Sequence, residues 1–268
     1  MDPVKIVKEF YDQESLTEWG RIDGRPEFLL TCRYLDKYIK PGDKVLDIGG
    51  GPGRYSIYLA QKGCDVTLFD LSSGNISFAK EKANEYRVKI NTVEGDARFV
   101  AGAFTEKFDH VLLMGPLYHL LTETERTQAI SSALEILKDN GTFFATFISM
   151  MGGMIYAMKI DPAIIVESSE INFQDAFYND RGFSGPAFTQ AYFAHQNEIL
   201  PFMEQFPLEK LHFFGQESIS SPCEDNIMSQ PKEIVDAWMD LCEKVCEKEE
   251  LLSWSEHLMY VGRKQCNK

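Results

Sequence analysis

The stretch VLDIGGGPGRY, Val45–Tyr55, places four glycines in five residues directly after an apolar run that ends in Asp47 and Ile48. Glycine is costly to order, so a cluster of this kind marks a place where the backbone turns sharply or comes close to something. The residues on either side read as a short strand, Lys44–Ile48, and a helix, Gly53–Lys62. A strand, a glycine turn and a helix form a geometry that binds anions and nucleotides, because the helix start offers unpaired N–H groups.

Working outward, the chain alternates. Strands are expected at Asp65–Phe69, Val88–Val93, Phe108–Met114 and Gly141–Ile148, and helices at Gly74–Tyr86 and Glu123–Leu137. Strands separated by helices of this length imply crossovers and a parallel sheet covered on both faces. Residues 1–40 read as a helical cap ending at Pro41-Gly42. The alternation breaks at Met150, and residues 150–190, rich in Gly, Ser, Asn and aromatics, read as an insertion or lid with the paired glycines Gly152-Gly153 as its hinge. A helix at Tyr192–Phe206, a strand at Leu208–Phe214, a long helix at Pro231–Leu251 and a final, antiparallel strand within 253–263 complete the reading. The expectation is one domain, 1–268: a doubly wound, Rossmann-like α/β fold with a mostly parallel seven-stranded sheet.

Three ligand classes compete for the glycine loop. A phosphate-binding P-loop needs Gly-Lys-Ser/Thr, which is absent. The dinucleotide fingerprint G-x-G-x-x-G/A, counted from Gly49, reaches Arg54 at its third glycine position, where a long side chain obstructs helix–strand packing. The pattern that fits is D-x-G-x-G-x-G: Asp47, Gly49, Gly51, Gly53.

That loop resembles the first motif of class I S-adenosylmethionine (SAM)-dependent methyltransferases. The resemblance continues through VTLFDLS (66–72), VEGDAR (93–98), FDHVLLMGPLYHLL (108–121) and ALEILKDNGTFFATFIS (133–149), covering about residues 40–150. It implies SAM as cofactor, with Gly49, Gly50, Gly51 and Gly53 letting its methionine and ribose portions lie against the backbone. It further implies that Asp47 attracts the ammonium and that Asp70, at a solvent-facing strand end, accepts from the ribose hydroxyls. Leu71 would pack on the adenine, Asp96 and Ala97 would bond its edge, and Met114 and Gly115 would sit beside the methyl. Tyr118 and His119 would stand near the reaction centre. His119 is either a general base or a residue that orients SAM or caps the next helix. Tyr11 or Arg21, in FYDQESLTEWGRIDGR (10–25), closes over the SAM carboxylate or belongs to a surface helix.

Composition narrows the acceptor. The net charge of −14 repels phosphate backbones. The fourth-strand motif reads Met114-Gly115-Pro116-Leu117-Tyr118, without the Asn/Asp-Pro-Pro-Tyr of enzymes that methylate exocyclic base amines. The expected partner is therefore a small-molecule methyl acceptor, with no nucleic acid and no membrane, the protein being a cytoplasmic monomer or homodimer. Two alternatives stay open: a SAM- or S-adenosylhomocysteine (SAH)-binding protein of the same fold with other or no transfer chemistry, and an NAD-dependent oxidoreductase. Six cysteines, at 32, 64, 223, 242, 246 and 266, have no disulfide spacing, and no metal site is expected. Gly141–Met158 approaches the length of a membrane span, but Thr142, Thr146, Ser149 and Gly152-Gly153 favour a buried strand, a turn and a helix start.

Overall fold

A computed structural model of the chain describes residues 2–266; Met1, at the head of the expected cap, and residues 267–268 lie outside them. In chain order the regular elements are α1 (Pro3–Arg21), α2 (Pro26–Tyr38), β1 (Lys44–Ile48), α3 (Arg54–Gln61), β2 (Asp65–Asp70), α4 (Ser73–Glu85), β3 (Asn91–Glu94), β4 (Phe108–Leu113), α5 (Glu123–Glu135), β5 (Leu137–Ser149), α6 (Met150–Ile160), α7 (Ile171–Tyr178), β6 (Phe183–Pro186), β7 (Gln190–Ala194), α8 (Gln196–Met203), β8 (Leu208–Gly215), α9 (Glu224–Met228), α10 (Lys232–Val245) and β9 (His257–Lys264).

Strands β3-β2-β1-β4-β5 pair in parallel, and β9 then β8 follow antiparallel on the far edge of β5. This is the Rossmann-like sheet expected from the alternation, with its antiparallel C-terminal strand, but among the described residues it holds nine strands and not seven, because β6 and β7 join it as well. Alternate residues of each central strand enter opposite layers, as a period of two requires. Leu46, Val111, Leu113, Phe143 and Phe147 pack under α5 and α8, joining Ala129, Ile130 and Met203. Val45, Leu112, Phe144 and Met259 pack on the other side with Leu30, Tyr34 and Leu35 of α2 and Leu59 of α3. Helix α2 is thus a full layer of the domain. Of the expected helical cap only α1 lies outside those two layers, and only Val7, Ser15 and Trp19 of it are buried. The chain winds from β1 outward to β3, then returns to β4 and β5, so the crevice between the carboxyl ends of β1 and β4 is the switch point where such folds bind ligands.

Residues 150–194 depart from the expectation of an unpatterned insertion. Helix α6 follows β5 directly, and Gly152 and Gly153 are packing glycines inside it: an added Cβ would lie 2.5 Å from the Glu256 carbonyl oxygen at the first and 2.6 Å from the Phe173 ring at the second. Neither takes positive φ, so what these two positions use is the absence of a side chain. The helix expected from Tyr192 begins only at Gln196. Ala191, Phe193 and Ala194 are buried while Gln190 and Tyr192 are half-buried, and this alternation makes a strand. Strand β7 pairs in parallel with β5 at Ile148↔Phe193 and Ser149↔Ala194. Ile148 also pairs with β9, which lies opposite β4 along β5. Strand β7 therefore occupies the edge of β5 that β4 vacates beyond Leu113. The β6–β7 hairpin consequently hangs above the carboxyl end of β4.

Candidate active site

The glycine loop crosses the ends of β1, β2 and β4. Gly49, Gly51 and Gly53 hold φ of 67°, 55° and 89°, the left-handed region that L side chains avoid. A Cβ on Gly50 would come within 2.5 Å of Asp47 Oδ2. Below and around this loop lies a cavity lined by Asp47, Gly49, Gly50, Gly51, Asp70, Leu71, Asp96, Ala97, Met114, Gly115, Tyr118, His119, Tyr11 and Arg21. Of the residues singled out in the sequence, Gly53 alone stands outside the lining. It precedes α3, and an added Cβ would lie 3.1 Å from that of Ala79, so its smallness brings α3 against α4.

The three aspartates of the cavity differ in their surroundings. Asp47 is buried; Oδ2 accepts from Ser56 Oγ at 2.7 Å and Oδ1 has no partner. Burial, only partly opposed by Ser56, raises it to about 7. Asp70 is also buried, which corrects the expectation of a solvent-facing strand end. Its Oδ2 accepts from Gly51 N and its Oδ1 from Ser72 N, each at 2.8 Å, so it fastens the glycine loop to β2 as well as facing the cavity. Burial raises its pKa despite these bonds. Asp96 is neutralised by Arg98, whose Nη2 donates to Oδ2 at 2.6 Å.

Helix α1 roofs the cavity through polar contacts. Lys8 Nζ donates to the Leu71 carbonyl at 2.8 Å, and Asp12 Oδ1 accepts from Ser72 Oγ at 2.7 Å and Gly74 N at 3.0 Å. Arg54 donates twice to the Trp19 carbonyl, at 3.0 and 2.9 Å, with its guanidinium 3.7 Å from the Trp19 ring centroid. The side chain that breaks the dinucleotide fingerprint therefore fastens α1. Tyr11 Oη lies 2.8 Å from His119 Nε2, and His119 Nδ1 lies 3.0 Å from the Gln190 carbonyl oxygen. A carbonyl only accepts, so the neutral ring carries its proton on Nδ1 and accepts from Tyr11 at Nε2. Burial lowers His119 to about 4, keeping it neutral. His119 thus joins α1 to β7 across the cavity mouth, and the nitrogen a general base would use is already occupied.

Arg21 presents a guanidinium to the same space. Its Nε donates to Glu18 and its Nη1 to Glu27, both at 2.9 Å, while 42% of the side chain stays accessible. Glu18, Glu27, Tyr55 and Asn75 also line the cavity and were not marked by the sequence. Glu27 opens α2 just after Pro26, where an acid in the first turn of a helix is ordinary, so nothing in the sequence sets it apart. Glu27, Glu217 and His257 place one ligating atom each within 4.8 Å of one another, one such group among the described residues. There His257 Nδ1 is 2.7 Å from Glu217 Oε1, so a proton fills the place a cation would take.

Residues 45–141 match a family model described as a methyltransferase domain. That stretch is a methyltransferase domain. A glycine/sarcosine N-methyltransferase from Parasynechococcus marenigrum is 29% identical over 140 residues, covering 51% of this chain and 48% of that protein. A ubiquinone biosynthesis O-methyltransferase from Stutzerimonas stutzeri is 30% identical over 119 residues, covering 44% and 50%. This chain thus spans about half the length of the curated relatives it matches. The crystal structure of magnesium protoporphyrin IX methyltransferase from Synechocystis PCC 6803 with bound SAH aligns over 98% of this chain and all of that one, with TM-score 0.59 and 16% identity, a likeness of fold.

Proposed function

We propose that the protein transfers the methyl group of SAM to a small-molecule acceptor by in-line displacement. The observation that carries this reading is the convergence, at one switch-point cavity, of a left-handed glycine loop with a buried carboxylate, Asp47, whose Oδ1 has no protein partner. An orphaned buried oxygen of this kind suits a ligand ammonium, for which Asp47 would surrender its proton. Arg21 would take the cofactor carboxylate, Asp70 the ribose, and Asp96, Ala97 and Leu71 the adenine. Met114 and Gly115 would border the methyl. The acceptor would enter between α1 and the β6–β7 hairpin, where the insertion acts as a cover. Tyr118 and His119 would bound it there, and a proton taken by His119 would pass through the Tyr11 hydroxyl. The sulfonium is already a good leaving group, so alignment and water exclusion carry most of the catalysis.

A glycine/sarcosine enzyme and a quinone-pathway enzyme among the relatives support a small acceptor, as does the net charge of −14 against nucleic acid. Among the described residues no helix is long and apolar enough to cross a membrane. Six cysteines without a disulfide support a cytoplasmic setting, and a monomer or homodimer is the assembly proposed.

SAM and SAH at about 100 times their dissociation constants should each stabilise the protein by roughly 2.7 kcal/mol, read as a rise in melting temperature of about 5–10 °C. NADH should leave the melting temperature unchanged. A shift with NADH and none with SAM would overturn the cofactor assignment. Incubation with isotopically labelled SAM and metabolite extracts should then yield a labelled small molecule. SAM binding with no labelled product from any extract would favour the non-transferring alternative.

Asp70→Ala should weaken SAM binding by about 1.5–3 kcal/mol, since charge-assisted hydrogen bonds to the ribose would be lost. Because the same carboxylate pairs Gly51 N and Ser72 N, the variant should also melt earlier than the wild type. A variant with full SAM affinity would remove Asp70 from the site.

A further inference from the structure

We propose that His257 is a positioning residue for cofactor binding: its charge balances Glu27, so that the Arg21 guanidinium, bonded at Nε to Glu18 and at Nη1 to Glu27, keeps charge to offer a ligand carboxylate in the cavity. The inference rests on the SAM reading of the cavity and adds a residue far from every motif, at the first position of β9.

Four charged side chains form an alternating chain from the cavity wall inward. Arg21 Nη1 donates to Glu27 Oε2 at 2.9 Å. The same Glu27 oxygen lies 3.9 Å from His257 Nδ1, which is 2.7 Å from Glu217 Oε1. The other Glu217 oxygen accepts from Ser255 Oγ at 2.6 Å and from His257 N at 3.0 Å. Glu27, Glu217 and His257 are all at least nine-tenths buried. The groups that face His257 are Arg21 at the end of α1, Glu27 on α2, Glu217 after β8, Ser255 ahead of β9, and Tyr118 after β4, whose ring centroid is 6.3 Å away.

Buried charge tolerates little imbalance, because an unpaired ion loses its hydration without compensation. With His257 protonated, the buried carboxylates Glu27 and Glu217 meet two cations, Arg21 being shared with the more exposed Glu18. With His257 neutral, Glu18, Glu27 and Glu217 share only Arg21, whose charge is then spent inside the protein and not on a ligand. Burial alone would depress the His257 pKa, but Glu27 and Glu217 outweigh it and raise the value to about 9. The folded value is raised above 6.5, so this contribution is complete below that pH and is lost as pH rises through about 9.

The test is SAH affinity by calorimetry for the wild type and His257→Gln across the range from about pH 7 to about pH 10. The ratio of the two dissociation constants cancels the titration of the ligand's own amine. The variant should bind about tenfold more weakly at neutral pH, and the ratio should fall towards one as the wild-type histidine deprotonates. A ratio that stays constant across the range overturns the proposal, because a merely structural role would not follow the histidine's proton. Failure of SAH to bind the wild type at any pH would instead overturn the cofactor reading. Should the variant not fold, the His257 ring is followed by NMR in the wild type. SAH should raise its pKa, by linkage, and an identical titration with and without SAH overturns the proposal.

Discussion

Asp47→Asn should make the free protein more stable while removing most of its affinity for SAM. The residue sits at the end of β1 with Oδ2 bonded to Ser56 Oγ and Oδ1 unpartnered in the interior. Its pKa rises on folding from 3.8 to about 7. The folded state therefore holds a proton that the unfolded state has already lost. Stability falls as pH rises from about 4 to about 7 and stays low above that, the sign expected of a raised carboxyl. An amide keeps the Ser56 bond and avoids the penalty, which should restore roughly 2–4 kcal/mol at about pH 8, or about 5–10 °C in melting temperature. The ligand ammonium would lose its counter-charge, weakening SAM by about a hundredfold. In the wild type, SAM affinity should decline as pH falls below about 7, with proton release on binding. Scanning calorimetry and titration in buffers of different ionisation enthalpy check both halves. A variant that melts earlier and binds SAM normally would sink the account.

Gly74→Ala should weaken SAM by roughly ten- to a hundredfold without harming the core. Gly74 lies in the first turn of α4, where an added Cβ would sit 2.6 Å from the Asp12 carbonyl oxygen and 2.9 Å from Asp12 Cα. The obstacle is backbone, so α1 itself must move. That helix has little apolar surface to hold it, and the Asp12, Ser15 and Lys8 contacts would all be strained. Tyr11 and Arg21 travel with it. Alanine favours the helical state of α4 by about 1 kcal/mol over glycine, so the melting temperature should scarcely change. Hydrogen exchange should accelerate in α1 alone. Gly102→Ala, where nothing lies within 4 Å, serves as the control. Full SAM affinity in Gly74→Ala would show that the roof is not needed for binding.

The parts of the site legible in the sequence are those tied to strand ends. Asp47, Asp70, Asp96 and Met114 are placed by the periodicity of β1 to β4, and the cavity gathers all four. The central sheet was legible for the same reason, since apolar runs alternating with helices leave few topologies. What escaped depends on contacts between distant segments. Glu27 and His257 are 230 residues apart and become neighbours only when α2 covers β9. The occupation of both His119 nitrogens needs α1 and β7 at once. Strand β7 was mistaken for helix because its five residues are flanked by a real helix, and a window long enough to detect one averages over the other.

The hairpin that extends the sheet also gives it a third free edge. A bare strand edge invites pairing with another chain, and this sheet ends at β3, β6 and β8. Strand β6 closes on Gly185 and Pro186, and proline has no N–H to offer a new partner. Strand β8 carries Glu209 and Lys210 towards solvent, and Glu94 on β3 is held by Lys8 of α1. Each border thus discourages cross-chain β-pairing by a different means. Replacing Pro186 with a β-branched residue would open the newest of them, and self-association at high concentration would follow before any loss of the monomer's fold.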